Sequence, residues 1–557
     1  MKNIYILGLS YSHDASACLL KNGEIVVAIQ KERLSRKKHD GSIFDIDINE
    51  CINYCLNAEG INLSKIDLVV ENSPTVLYCK EKDKILGFKK FRLLDKFDQT
   101  KIFQISHHLA HAYCAYGLSN FEDCAVMVID GQGNYKEDIT EDLNEAIIFP
   151  KNSESSYIER ESFYEFSKGY YRVLRKNLGV IHKSFERLSG IGHLYESVSS
   201  YVFKSRFDAG KLMGLAPYGE EKLLINMLKV KEDGEIIYFN DWIKDFSHPN
   251  RDENYFNKYF QDYANLALKT QKELEDVVLF LSKWIKNNTS FDNLAYTGGV
   301  SLNCSANSKI LNNSEFKNLF IAPPASDCGI SIGCAFYGYL NILKQKKKNI
   351  NYSDYLGREY SETEIINALK NNKEFIVFHK SPNICKEAAG MICDGKIIGW
   401  FQGKSEFGPR ALGNRSVLAD PRKSEIKDRI NRIIKKRELF RPFACSILED
   451  KTKEFFNISY SPYMLLIAIV NNDKKDQIPA VIHIDGTSRI QSVNKEQNLK
   501  YYSLINEFYL LTGIPLVLNT SFNDNEPIIE TPEDALSCFL GSGLDVLCMG
   551  DYIIKRK

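Results

Sequence analysis

The sequence predicts an α/β protein built in two parts, and three observations carry that prediction. Short apolar strands run repeatedly into Asp-Gly or Gly-Gly turns and then into helices, as at Leu294 to Asn303. A strand and hairpin opening at the N-terminus returns in weaker form near residue 124. The charged, apolar-free stretch Lys344-Gln345-Lys346-Lys347-Lys348-Asn349 reads as a boundary, dividing the chain into 1–348 and 349–557.

The elements follow in order. Ile4 to Gly8 is a strand, and Ser10 to Asp14 a polar turn that contains His13. Ala15 to Leu20, the turn Lys21-Asn22-Gly23, and Glu24 to Gln30 make a hairpin. Lys38 follows in the basic segment Lys31 to Asp40, which on charge alone reads as a solvated run. The second opening is Cys124 to Phe149: a strand, an Asp-Gly turn, an acidic loop, and Ala146 to Phe149 as the returning strand. Two such halves point to the duplicated nucleotide-binding core of the sugar kinases, Hsp70 and actin (the ASKHA class).

Between the halves lies Ser106-His107-His108-Leu109-Ala110-His111-Ala112-Tyr113. Ser106 fits an N-cap, and on a helix His107 and His111 share one face while His108 points about 100° away. Two imidazoles need carboxylates to complete a metal site. Asp130 ends the strand 125–129, and Asp327 stands in a turn between strand and helix. Lys211 to Gly219 reads as a Gly/Pro-punctuated loop. Gly298, Gly299 and Asn303 join a strand to a helix where backbone can approach a nucleotide closely.

Beyond the boundary, Gly395 to Phe401 is strand-like and feeds Gly403-Lys404-Ser405-Glu406-Phe407-Gly408-Pro409-Arg410-Ala411-Leu412-Gly413-Asn414-Arg415-Ser416. Lys404 to Arg441 holds twelve Lys/Arg against five Asp/Glu. Ile426, Ile430, Ile433 and Ile434 mark an amphipathic helix whose wet face explains part of that excess. Arg410, Arg415 and Arg441 lie in loops outside it. With Arg489 they make four guanidiniums suited to a polyanion. Asn519 and Ser521 end a strand with hydrogen-bonding side chains.

Composition excludes several classes. Lys+Arg and Asp+Glu are both 72, so nothing global points to nucleic acid or a membrane surface. No apolar run approaches the ~20 residues that span a bilayer. The 14 cysteines include no Cys-x-x-Cys pair and read as reduced, as expected of a cytoplasmic protein.

Taken together, His107 to Ala112, Lys211 to Gly219, Gly298 to Asn307, Glu406 to Arg422 and Arg441-Pro442-Phe443 resemble the nodulation-protein and antibiotic O-carbamoyltransferases. The resemblance implies a Kae1-like domain on the duplicated core, similar to the tRNA threonylcarbamoyl-transfer protein, followed by a YrdC-like domain that makes carbamoyl adenylate. It implies Fe2+ or another divalent transition metal on His107, His111, Asp130 and Asp327, with His13 and Lys38 lining the transfer site. It places Arg410, Arg415, Arg441, Arg489 and Asn519 around carbamoyl phosphate and ATP, the nucleotide accompanied by Mg2+. Gly298, Gly299, Asn303, Lys404 and Ser521 are further candidates for cofactor contact, and Arg410 and Arg415 for catalysis. Two departures stand out: Lys404 replaces an expected arginine, and Gln132 an expected glycine. The expected partners are carbamoyl phosphate, ATP and a hydroxylated acceptor, with a homodimer as one option. The acceptor-facing loops are expected within 150–205 and 220–285.

Overall fold

The computed structural model describes residues 2–41, 47–72, 94, 97–150, 157–180, 189–240, 242–245, 249–349 and 352–557. Contacts divide the chain into two compact units, Met1–Lys31 with His39–Tyr352 and Glu32–Lys38 with Ser353–Lys557. The basic segment therefore splits: Lys38 belongs to the second unit and His39 to the first.

The first unit contains one arrangement twice. Strands β1 (Tyr5–Ser10), β2 (Ser16–Lys21), β3 (Glu24–Gln30), β4 (Leu68–Asn72) and β5 (Ile102–Gln104) form a sheet in the order β3-β2-β1-β4-β5. The first three are antiparallel, and β1, β4 and β5 are parallel. The second sheet uses β6 (Asp123–Ile129), β7 (Ile147–Phe149), β8 (Tyr157–Ser167), β9 (Tyr170–Val180), β12 (Asn293–Thr297) and β13 (Asn318–Ile321). A small pair, β10 (Leu228–Val230) and β11 (Ile236–Tyr238), stands apart. The second sheet runs β13-β12-β6-β8-β9-β7, again with three antiparallel strands followed by two parallel ones.

The duplication is thus present, but the returning strand is not 146–149. That piece is β7, an edge strand parallel to β9. The partner of β6 is β8, an eleven-residue strand whose hairpin turns at Lys168-Gly169. A long loop between β6 and β8 displaced the expected return. Lys211 to Gly219 is likewise not a loop: Ala209–Leu215 is a helix and Ala216–Tyr218 a 3-10 turn, with Pro217 at a position where its missing N–H is harmless. Of the expected acceptor loops, 151–156, 181–188, 241 and 246–248 lie outside the described residues. The rest is largely regular, including the helix Phe260–Asn287.

Close packing of one helix positions the site. Helix Ile330–Tyr337 lies between β1 and helix His107–Leu118. A Cβ on Gly333 would stand 1.7 Å from the carbonyl oxygen of Ala110, and one on Gly8 would stand 1.9 Å from that of Ser331. Only glycine lets these backbones approach so closely.

The second unit is a mixed nine-stranded sheet. Its strands are β14 (Ile376–Lys380), β15 (Ile398–Phe401), β16 (Arg415–Ala419), β17 (Ala444–Leu448), β18 (Ile467–Ile469), β19 (Thr487–Val493), β20 (Leu516–Ser521), β21 (Val546–Met549) and β22 (Tyr552–Arg556). The order is β14-β22-β21-β15-β16-β20-β17-β19-β18. Trp400, Phe508, Phe522 and Phe539 are among the buried side chains of its core. Among the described residues, no helix is long and apolar enough to cross a membrane.

Candidate functional site

His107 and His111 start the helix His107–Leu118 and are buried. The start is capped unusually. Ser106 holds the N-cap position, but its hydroxyl donates to Glu141. The orphan N–H of His107 goes instead to Asn134 Oδ1 (2.5 Å) and that of His108 to Glu159 Oε2 (3.4 Å). His108 turns away, with Nδ1 2.7 Å from Ser162 Oγ. Burial, then Lys176, hold its pKa well below the usual imidazole value.

Asp130 follows β6 and Asp327 opens the turn before helix Ile330–Tyr337. His107 Nε2 lies 3.1 Å from Asp130 Oδ2 and 3.3 Å from Asp327 Oδ1. His111 Nε2 lies 3.9 and 3.7 Å from the same two atoms. All four ligand atoms fall within 4.8 Å of one another. Among the described residues, both ring nitrogens of His111 are buried with no hydrogen-bond partner. A buried imidazole in that state is costly unless something binds it. Two nitrogens and two carboxylates around one point therefore fit a divalent transition metal.

The electrostatics agree with that donor set. Burial opposes charge on His107, but Asp327 and Asp130 outweigh it and raise its pKa to about 10. Burial likewise works against the Asp130 carboxylate, yet His107 brings its pKa down to about 2. One proton held between imidazole and carboxylates does the work that a cation would do.

Around the four lie His13, Asp14 and His39. His13 Nδ1 is 3.3 Å from Asp327 Oδ2, His13 Nε2 is 3.8 Å from Asp14 Oδ2, and His39 Nδ1 is 2.8 Å from Asp14 Oδ1. His39 stacks on Phe207 at 4.3 Å. Gly298 and Gly299 serve this centre structurally. Gly298 has a left-handed φ of 91°, and a Cβ there would strike Ile129 O at 2.3 Å. The N–H of Gly299 donates to Asp130 Oδ1 (3.0 Å), leaving Oδ2 toward the imidazoles. Asn303 caps helix Cys304–Asn313 and pairs with Gln271, so its amide is occupied.

In the second unit the cations separate into two groups. Lys435, Arg437, Arg441, Arg489 and Lys38 share one neighbourhood. Burial, then Arg437, Lys38 and Arg441, push the Lys435 pKa well below the usual lysine value. Burial, then Arg441 and Arg489, bring Arg437 down to about 9. Such crowding of like charge suits an anion. Lys435 Nζ donates to the Ser521 carbonyl (2.5 Å) and to Asn523 Oδ1 (2.6 Å). Asn519 is buried, with Nδ2 on Ser446 Oγ (2.9 Å) and, among the described residues, Oδ1 buried without a partner. Lys38 lines a cavity of about 450 Å³ with Arg36, Asp524 and Glu526.

Arg415 belongs elsewhere. It is fully buried, stacks on Phe401 at 3.7 Å, and donates to the carbonyls of Gln402, Gly403, Asn414 and Glu530. Both terminal nitrogens of its guanidinium are thus directed at main-chain carbonyls. Lys404 is exposed and contributes its carbonyl to Asn414. Glu406 folds the loop by accepting from the N–H groups of Leu412, Asn414 and Arg415.

Lys435 and Arg437 escaped the sequence reading because a regular helix would put them on a wet face. Instead Glu425–Arg429 widens into a π-turn at Ile430–Ile434, and the Lys435 N–H reaches Ile430 O. The wider turn buries Lys435 and leaves Ile433 half-exposed.

Comparison with known proteins bears on the whole chain. The Carbamoyltransferase N-terminus profile matches residues 5–82 and 70–336, and the Carbamoyltransferase C-terminus profile residues 389–556. Nodulation protein NolNO of Sinorhizobium fredii is 32% identical over 580 residues, covering 98% of this chain and 80% of that protein. 3'-hydroxymethylcephem-O-carbamoyltransferase of Amycolatopsis lactamdurans is 27% identical over 485 residues, covering 82% and 81%. Full-length HypF in its phosphate- and nucleotide-bound form aligns at 12% identity over 61% of this chain and 56% of that one, with a TM-score of 0.37. On the sequence matches, which span both units, the chain belongs to the carbamoyltransferase family.

Proposed function

We propose that the chain is an ATP-dependent O-carbamoyltransferase. Carbamoyl phosphate and ATP give carbamoyl adenylate, and its carbamoyl group passes to a hydroxyl of a small-molecule or glycan acceptor. The observation that supports this most is the pairing, in one family member, of a buried two-imidazole, two-carboxylate centre with a separate crowd of cations. A kinase needs no such centre, and charge neutralisation by cations is the main requirement of phosphoryl chemistry.

In this reading the first unit is Kae1-like, on a duplicated core of the ASKHA class, and the second is YrdC-like. Arg441, Arg489, Arg437 and Lys38 hold the phosphate oxygens of carbamoyl phosphate and ATP, with Mg2+ on the nucleotide, while Lys435 ties Ser521 and Asn523 together beside them. Water first hydrolyses carbamoyl phosphate to carbamate and inorganic phosphate; a carbamate oxygen then attacks the α-phosphorus of ATP and pyrophosphate leaves, while these side chains neutralise the departing charge. Arg410, in the loop between β15 and β16, is a further phosphate ligand in this reading. His107, His111, Asp130 and Asp327 would hold Fe2+ or a similar ion. A bound metal there supplies Lewis acidity toward the carbamoyl oxygen. His13 takes the proton of the acceptor hydroxyl; burial opposes its charged form, but Asp327 and Asp14 raise its pKa and favour the gain. AMP leaves with the chain unchanged.

Incubation with carbon-labelled carbamoyl phosphate, ATP and a panel of hydroxylated metabolites, followed by mass spectrometry, tests this. Label is expected in an O-carbamoyl ester of one acceptor class. Label found instead in threonylcarbamoyl adenosine would favour tRNA modification, and a phosphorylated acceptor would favour a kinase.

A further inference from the structure

The two metal-facing histidines are held very differently. Among the described residues, His111 has no hydrogen-bond partner on either ring nitrogen. His107 is bracketed by two side chains from separate parts of the chain. Its Nδ1 lies 3.3 Å from Asn72 Oδ1, at the C-terminal end of β4. Its backbone N–H donates to Asn134 Oδ1, in the loop after β6. Asn72 Nδ2 donates to Ile105 O (2.8 Å) and to the same Asn134 Oδ1 (3.2 Å).

These contacts fix more than position. The Asn72 NH2 group faces two oxygens, so its carbonyl oxygen must face His107. An oxygen opposite Nδ1 requires a proton on Nδ1. Nε2 is then the nitrogen whose proton, shared with Asp130 and Asp327, an ion would displace to reach the lone pair. The bracket is itself anchored: the Asn134 N–H donates to Glu159 Oε2 (3.1 Å), and Glu159 Oε1 is bound by the fully buried Lys176. Lys176 also holds Glu141 (2.6 Å), which takes the Ser106 hydroxyl at the helix start.

We infer that Asn72 is a positioning residue for the metal centre, fixing the ring orientation and Nδ1-protonated tautomer of His107 so that Nε2 faces the ion, with Asn134 completing the bracket. The inference rests on the metal reading of the proposed function. A neighbour that donates or accepts at the far ring nitrogen of a metal-binding histidine typically changes affinity about 10–100-fold when removed.

The test is Co2+ titration of the full chain by calorimetry and by visible absorption. Wild type is expected to take up one ion, lost in His111→Ala. Asn72→Leu, close in shape but without polar atoms, is expected to bind about 10–100-fold more weakly with an altered d–d spectrum. Asn72→Asp, which keeps an acceptor opposite Nδ1 but loses the two bonds donated to Ile105 O and Asn134 Oδ1, is expected to bind more tightly than Asn72→Leu and more weakly than wild type. Far-UV circular dichroism checks that each variant is folded. A folded Asn72→Leu with wild-type affinity and spectrum would overturn the role of Asn72 while leaving the metal site standing. Wild type that binds no Co2+, or binds it unchanged in His111→Ala, would overturn the metal reading and this inference with it. If Asn72→Leu does not fold, nitrogen-15 shifts of the wild-type imidazoles with Zn2+ decide. Coordination of His107 through Nε2 with a protonated Nδ1 supports the inference, and coordination through Nδ1 contradicts it.

Discussion

Asp327 touches His13 and His107 with different oxygens: Oδ2 stands 3.3 Å from His13 Nδ1, and Oδ1 stands 3.3 Å from His107 Nε2. One carboxylate thus links a half-buried histidine to the buried ligand set. Asp327→Asn, nearly the same shape, is expected to lower Co2+ affinity and carbamoyl transfer by on the order of 100-fold. Pyrophosphate release from ATP and carbamoyl phosphate should stay within a few-fold of wild type. Equal loss of both activities would show that the centre is not confined to transfer.

The cation group gives the complementary result. Arg441→Ala removes charge-assisted hydrogen bonds worth roughly 1.5–3 kcal/mol each, so carbamoyl-phosphate-dependent pyrophosphate release should fall at least about 10-fold. Metal content should be unchanged. Arg415 should behave otherwise. Its four main-chain acceptors make Arg415→Met a folding defect, with a stability loss of about 3 kcal/mol or more seen in denaturant titration. A stable Arg415→Met with abolished pyrophosphate release would return that arginine to the site.

Stability of the metal-free protein should depend on pH in a defined direction. The His107 pKa is raised from 6.5 to about 10 in the folded state. Its contribution is complete below 6.5 and is lost as pH rises toward 10. The metal-free Tm is therefore expected to fall across that window. Co2+ must displace the same proton, so its affinity should rise with pH over the same range, and the loaded protein should lose less stability there. A metal-free Tm that is flat or rises from pH 6.5 to 10 would contradict the His107–Asp130–Asp327 arrangement.

Gly333 tests how the fold makes the site. Gly333→Ala puts a methyl against the Ala110 carbonyl and should cost roughly 1–3 kcal/mol. Because helix Ile330–Tyr337 follows directly from Asp327, metal affinity should fall with it. An unchanged affinity would mean that Asp327 is held independently of that helix, by contacts such as Ser10 Oγ to its carbonyl.

What was legible in the sequence follows from range. His107 and His111 are four apart on one helix, so local geometry alone put them together. The acids ending β6 and opening the 327 turn were visible as strand-end residues, and the family resemblance grouped them with the histidines. The second returning strand was missed because a long loop hides β8 from any local repeat. The carbonyl contacts of Arg415 were not legible, because an arginine at a loop's end looks the same in sequence whether it faces an anion or main-chain carbonyls. Lys435 and Arg437 were missed because a π-turn, invisible in the residue pattern, rotates them off the wet face. Asn72 and Asn134 carry no pattern at all; only the meeting of β4, the loop after β6 and the ligand helix gives them a role.

The most direct measurement separates the nucleotide products of ATP with and without carbamoyl phosphate, in the presence of an acceptor. The expected result is AMP and pyrophosphate, formed only when carbamoyl phosphate is supplied. ADP as the product, or AMP formed equally without carbamoyl phosphate, would contradict carbamoyl transfer through an adenylate.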